Sequence, residues 1–223
     1  MDIAGWALKG FALILAGLCA AAAEPDSTIT VFVYNYAAVP AGVLEQAEAE
    51  GTRIYQRAGI TIGWLDCPLS PAQASQYPAC LVPPGPATLA VRILSRSMSQ
   101  CMMKRLEKAQ DSFGFALYPA DGSFATAGYV FAPDAEQLAN RCRIRYGVIL
   151  GHLMAHEMGH LLLGLRSHSG SGIMQVPWQR KKLEIISQGS MLFDSSEGKR
   201  MRTNIRVRAA TQGAADQALV RRM

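Results

Sequence analysis

Charge is scarce in this chain of 223 residues: Asp, Glu, Lys and Arg together make 17% of it, while half is apolar. Disordered and solvating segments have the opposite balance, so most of the chain is expected to bury a core, and the length suits one domain better than two. Long apolar runs are missing after the first 23 residues, which excludes a later membrane-spanning helix of the about 20 residues a bilayer needs. There is no internal repeat and no CxxC pair of the kind that builds a zinc knuckle. A basic excess is also missing from the body. The net charge of +5 comes from the end, where Lys199, Arg200, Arg202, Arg206, Arg208, Arg221 and Arg222 face one acid, Asp216. Residues 24–197 are close to neutral, and no nucleic-acid motif is present, so no nucleic-acid partner is expected. Residues 198–223 read as a solvated, flexible basic tail, with contact to an anionic surface as the alternative.

What is present begins with MDIAGWALKGFALILAGLCAAAA: a lone Lys9, an apolar run from Phe11, and Ala21-Ala22-Ala23 ahead of Glu24 and Pro25. This has the layout of a signal peptide, residues 1–23, cut after Ala23 to leave a secreted or periplasmic chain; an uncleaved anchor is the alternative. Cys67, Cys80, Cys101 and Cys142 then remain, an even number that in an exported chain suggests two disulfides. Three pairings are possible. Cys67–Cys80 is favoured because PLSPAQASQYPA between them is a polar, Pro-rich loop, and Cys101–Cys142 follows by default; free thiols are the alternative.

Along residues 24–197, TITVFVYNY alternates and is rich in β-branched and aromatic side chains, hence a strand. Pro40 opens a helix that runs past a soft spot at Gly51 to a stop at Gly59. TIGWLDC and ATLAVRILS are further strands, and SMSQCMMKRLEKAQDS is a short helix or a surface excursion. FGFALYP and ATAGYVFAP flank a turn at Asp121-Gly122 and read as two short strands. From about Glu136 the pattern is helical, YGVILGHLMAHEMGHLLLG ending at Gly164, with a further helix around Val176–Gln188. The expected architecture is a single α/β domain with a mixed, twisted sheet, a helix after the first strand, and the chemistry on a late helix.

That chemistry lies in HEMGH. On a helix, His156 and His160 are neighbours at i and i+4 and can offer two imidazoles to one ion. Glu157, about 100° round from His156, can reach a water on that ion without being a ligand. Two imidazoles, a third protein ligand and a water make an open tetrahedral zinc site, with Glu157 as general base for amide hydrolysis. HExxH alone is a weak motif; on a helix after a mixed sheet in an exported chain it is a strong one. The third ligand is open at this point: His168 downstream, or Glu184 from the helix WQRKKLEIIS. His152, one turn before His156, is a fourth imidazole, an orienting group, or a buried helix histidine. Trp178 either lines a cleft or anchors the last helix.

The stretch resembles the metzincin clan of zinc peptidases, the matrixin-like members in particular, and is closest to exported bacterial proteins with a HExGHLLLG, SHS and GIM pattern. His156, Glu157 and His160 match the motif HExxHxxGxxH. Leu163 stands where the motif has glycine, with Gly164 one place late. Arg166 stands where it has the third histidine, and His168 follows two places on. SGIM then brings Met174 where the clan has a methionine turn under the metal. The resemblance implies one catalytic zinc on His156, His160 and His168, and a peptide or protein substrate lying extended along an upstream edge strand, FGFALYP, cleaved by a monomeric enzyme. The competing expectation is an exported binding protein that keeps the scaffold and perhaps the metal without activity; a deformylase-like cytosolic amidase is disfavoured by the signal segment.

Overall fold

The computed structural model describes residues 27–81, 84–105, 113–165, 167–178 and 180–220. The expected signal peptide, residues 1–23, part of the expected helix or excursion after Arg105, Arg166, Arg221 and Arg222 lie outside them. Five strands form one sheet: β1 (Thr28–Asn35), β2 (Thr61–Asp66), β3 (Thr88–Leu94), β4 (Gly114–Leu117) and β5 (Ala127–Phe131), in the order β2-β1-β3-β5-β4. The first four in that order run parallel, and β4 pairs antiparallel with β5, Phe115 opposite Tyr129. The mixed α/β sheet expected from the sequence is therefore present. β1, paired on both edges by β2 and β3, is buried on both faces at Val31, Phe32 and Val33, which explains a run of apolar residues inside its alternation.

The parallel β1–β2 pair needs a crossover, and α1 (Ala41–Arg57) supplies it. It starts directly after Pro40 and stops at Ala58, where Gly59 turns left-handed at φ 72°. Gly51 is where α1 lies on β2: a side-chain carbon there would come within 2.9 Å of the Trp64 ring. The late helical stretch is two helices, α4 (Ala132–Cys142) and α5 (Tyr146–Leu163), separated by Arg143 at φ 55°. α5 is buried on nearly every side. Its Gly151 faces α1, where a side-chain carbon would meet the Ala47 carbonyl at 2.5 Å, so the two backbones pack in close contact. Tyr55 ties them further by donating to the Ala155 carbonyl at 3.1 Å. One apolar cluster joins the sheet to α1, α4, α5, α6 (Arg180–Ser187) and α7 (Ser195–Val220).

Two expectations are corrected. Residues 198–220 are not a loose tail but most of α7, a 26-residue helix. Its start is a capping box: Asp194 Oδ1 accepts from the Glu197 amide at 2.8 Å, and Glu197 Oε2 accepts from the Asp194 amide at 2.9 Å. Met201, Ile205 and Arg208 bury one face of it against the domain. A net charge concentrated on one segment thus disguised a packed helix, three of whose cations, Arg200, Arg202 and Arg208, donate to backbone carbonyls. The second correction concerns cysteine. Cys67 and Cys80 are bonded, closing a loop that holds α2 (Pro71–Ala74) and a 3-10 turn, Pro78–Leu81. Such a closure contributes about 3 kcal/mol. Cys101 and Cys142 are free thiols, the first exposed on α3 (Arg96–Arg105), the second at the end of α4. Pairing by default took no account of where two separate helices carry their thiols, and a disulfide needs Cα atoms within about 7 Å. No helix among the described residues is long and apolar enough to cross a membrane.

Candidate metal centre

The centre is built on the last two turns of α5. His156 and Glu157 are buried, 5% and 4% exposed, while His160 is half-buried and His168 exposed. The helix ends where Gly164 takes φ 91° and its amide donates to the His160 carbonyl at 2.9 Å. A residue with a side chain would be strained in that conformation. The chain then turns back, and the late His168 arrives beside the other two: ring centroids are 4.7 Å from His160 and 5.6 Å from His156. One nitrogen from each of the three rings lies within 4.8 Å of the others, a set that could hold a metal ion. The two extra residues before His168 therefore lengthen the return without moving its end away from the helix. Arg166 lies outside the described residues.

The far sides of the rings are anchored. His156 Nδ1 lies 2.8 Å from the Ile173 carbonyl, which can only accept, so Nδ1 carries the hydrogen and Nε2 presents a lone pair. Ile173 is itself held, its amide donating to the Leu192 carbonyl at 3.0 Å. His160 Nδ1 meets the Ser167 hydroxyl at 2.7 Å, leaving its Nε2 to face His156 Nε2 at 3.1 Å. Ligands on one tetrahedral ion with bonds of about 2.0–2.1 Å stand roughly 3.3–3.4 Å apart. The pair thus has the spacing of two ligands sharing an ion, and a lone pair aimed at a neighbouring nitrogen calls for a cation or a shared proton between them. Three imidazoles with no thiolate or carboxylate suit zinc, copper, nickel or iron, and three protein ligands leave coordination positions open.

No family model and no curated protein matches this chain.

Around the histidines, Met174 is fully buried against the underside of α5: a side-chain carbon on Gly159 would come within 2.6 Å of its sulfur and 2.9 Å of the Phe193 ring. The methionine expected beneath the site is there, and Gly159 in HEMGH makes room for it. Glu157 projects from α5 toward the sheet edge. A side-chain carbon on Gly114 of β4 would fall 2.7 Å from Glu157 Oε1, and one on Gly128 of β5 would lie 3.4 Å from Glu157 Cβ. Two glycines on adjacent strands thus open the space that the carboxylate occupies. Tyr118, just past β4, donates to the His160 carbonyl at 2.8 Å. Burial and the nearby Glu157 carboxylate push its phenol up to about 12. FGFALYP supplies β4, the last strand in the sheet order and the one beside Glu157.

Other candidates fall outside the cluster. His152 is buried in the α1–α5 contact, its Nδ1 donating to the Val148 carbonyl at 2.9 Å and lying 3.4 Å from Glu50 Oε1. Burial lowers its pKa against the pull of both partners. Of the three roles open to it, the structure gives it that of a core histidine. Glu184 is exposed on α6 and is not among the grouped ligands. Trp178 packs edgewise on the His152 and His156 rings, at centroid distances of 6.4 and 5.9 Å. The sequence did not single out Ser167, Gly114, Tyr118 or Ile173. Only Ser167 carries a readable signal, a hydroxyl next to the third histidine; the rest depend on tertiary contacts.

Burial drives the His156 pKa down to about 4, opposed by the Ile173 carbonyl and reinforced by neighbouring His168. In the unfolded chain the same imidazole titrates near 6.5. The unfolded state therefore takes up a proton over that window while the folded state does not, and stability falls as pH drops. For metal-free protein the loss from this group is expected to begin near pH 6.5, reach about 3 kcal/mol, and level off near pH 4. Urea unfolding at pH 7, 5 and 4 checks it, with His156→Gln giving a flatter profile.

Proposed function

We propose that this chain is an exported zinc-dependent peptidase, metzincin-like and nearest the matrixins, with His156, His160 and His168 holding one zinc ion. The observation that carries the reading is the convergence of three histidine nitrogens within 4.8 Å on a helix whose Glu157 lies buried alongside. The Cys67–Cys80 disulfide and the apolar N-terminal segment fit an exported chain.

A zinc ion bound there supplies Lewis acidity, polarising a peptide carbonyl and bringing the pKa of a water to about 7. The chain's own residues do the rest. Glu157, adjacent in sequence to the ligand His156, takes the proton of the attacking water and returns it to the leaving amine. The bond formed is carbon to water oxygen; the bond broken is the amide C–N. His156 and His160 are held in orientation because their Nδ1 atoms are engaged by Ile173 and Ser167. Exposed His168 places the reaction on the solvent side of the site. β4 at the sheet edge offers main-chain pairing to an extended peptide, which gives affinity with little sequence preference.

The test is cleavage of an unfolded protein substrate by the mature chain. Activity is expected to vanish after chelation and to return with one equivalent of zinc, whereas magnesium restores nothing. Cleavage that survives full removal of transition metals would overturn the proposal.

A further inference from the structure

A helix leaves its last four carbonyls without intrahelical partners. In α5 these belong to His160, Leu161, Leu162 and Leu163, the turn that carries a metal-ligating histidine and starts the chain's return to His168. Each has a donor. The His160 carbonyl accepts from Tyr118 and from the Gly164 amide. The Leu161 carbonyl accepts from Arg208, the Leu162 carbonyl from Asn204 at 2.7 Å, and the Leu163 carbonyl from Arg200 at 3.2 Å. Three of these five donors come from α7, spaced at i, i+4 and i+8, which puts them in one row on its surface. Two of them are cations set at the negative end of the α5 dipole.

Arg208 goes deepest. It is 3% exposed, lies over the Phe124 ring, and also donates to the carbonyls of Pro86 and Ala125, ahead of β3 and β5. One guanidinium thus joins the end of α5 to two strand entrances. Burial lowers its pKa to about 10, which leaves it charged at neutral pH.

We propose that α7 is a positioning element of the metal centre: the row Arg200, Asn204 and Arg208 caps the C-terminal turn of α5 and thereby fixes the His160–Gly164 geometry that brings His168 to its partners. The inference rests on the metal reading above for its functional meaning, and on the hydrogen bonds alone for its mechanics. Two cations of the basic segment, Arg200 and Arg208, are then not solvated charges but donors to backbone carbonyls at the end of α5.

The test uses the full mature chain and two variants made in parallel, so that misfolding of one leaves the other to decide. Asn204→Asp exchanges a donor for a charge facing a carbonyl; Arg200→Met removes a donor at an exposed position. Val207→Ala, exposed on the same helix, is the control. Two readouts are needed at a temperature well below unfolding: hydrogen exchange of residues 160–168 in metal-free protein, and zinc affinity by competition with a chromogenic chelator. Exchange in that segment is expected to quicken at least severalfold, and zinc to bind about tenfold more weakly, as when groups that orient a ligand are lost. A lowered Tm with unchanged exchange and unchanged zinc affinity would mean α7 is only structural, and the proposal fails. A wild-type chain that binds no zinc would overturn the preceding reading instead, and the exchange comparison alone would then decide whether α7 holds the turn.

Discussion

Glu157→Gln is expected to keep its zinc and lose about 10²- to 10⁴-fold in peptide cleavage, the range that a positioned general base contributes. The substitution keeps the volume of the side chain, so the space beside Gly114 and Gly128 stays filled. It removes the carboxylate proposed to accept the water's proton. Because the proposed ligand set is three histidines, the metal should stay, and zinc content separates loss of chemistry from loss of the site. Equal cleavage by the glutamine variant would contradict the assigned role. A wild-type chain that binds zinc and cleaves nothing would favour a metal-holding binding protein, for which a buried carboxylate beside the ion has no use.

His168→Ala has the second large effect. His168 is exposed and reaches the site from a loop, whereas His156 is part of the core. Removing His168 should leave the fold and its Tm without zinc nearly unchanged, yet weaken zinc binding by at least about 100-fold, since two imidazoles alone make a poor site. His156→Ala should lose zinc and also destabilise the metal-free protein, because it empties core space and leaves the Ile173 carbonyl without its donor. Paired zinc titrations and thermal unfolding of the two variants distinguish these outcomes. Similar Tm losses in both would mean that His168 is structural.

The sheet and the metal helix were legible because their signals are local. Alternation marked β1, glycine marked the ends of α1 and α5, and HEMGH at helical spacing marked two imidazoles of the histidine cluster and the buried Glu157 beside them. His168 was legible despite its two-residue delay, because the loop that delays it still turns at Gly164. The break at Arg143 was not, since a left-handed arginine has no sequence signature of its own. The tail was misread for a different reason. Its charges suggested solvation, while the Asp194-Ser-Ser-Glu197 capping box and the four-residue spacing of Arg200, Asn204 and Arg208 pointed to an ordered helix. What those side chains bond to, the end of another helix, is settled only by tertiary packing. The orienting contacts of Ile173 and Ser167 on the imidazoles are of the same kind.

The most direct test of the metal centre is zinc per chain, measured by elemental mass spectrometry on the purified mature protein and on His168→Ala after equilibration with the same limiting zinc. The account predicts about one zinc in the wild type and little or none in the variant. Full zinc in both would move the third ligand off His168 and make Glu184 the next residue to substitute. No zinc in the wild type after reconstitution would contradict the account at its centre.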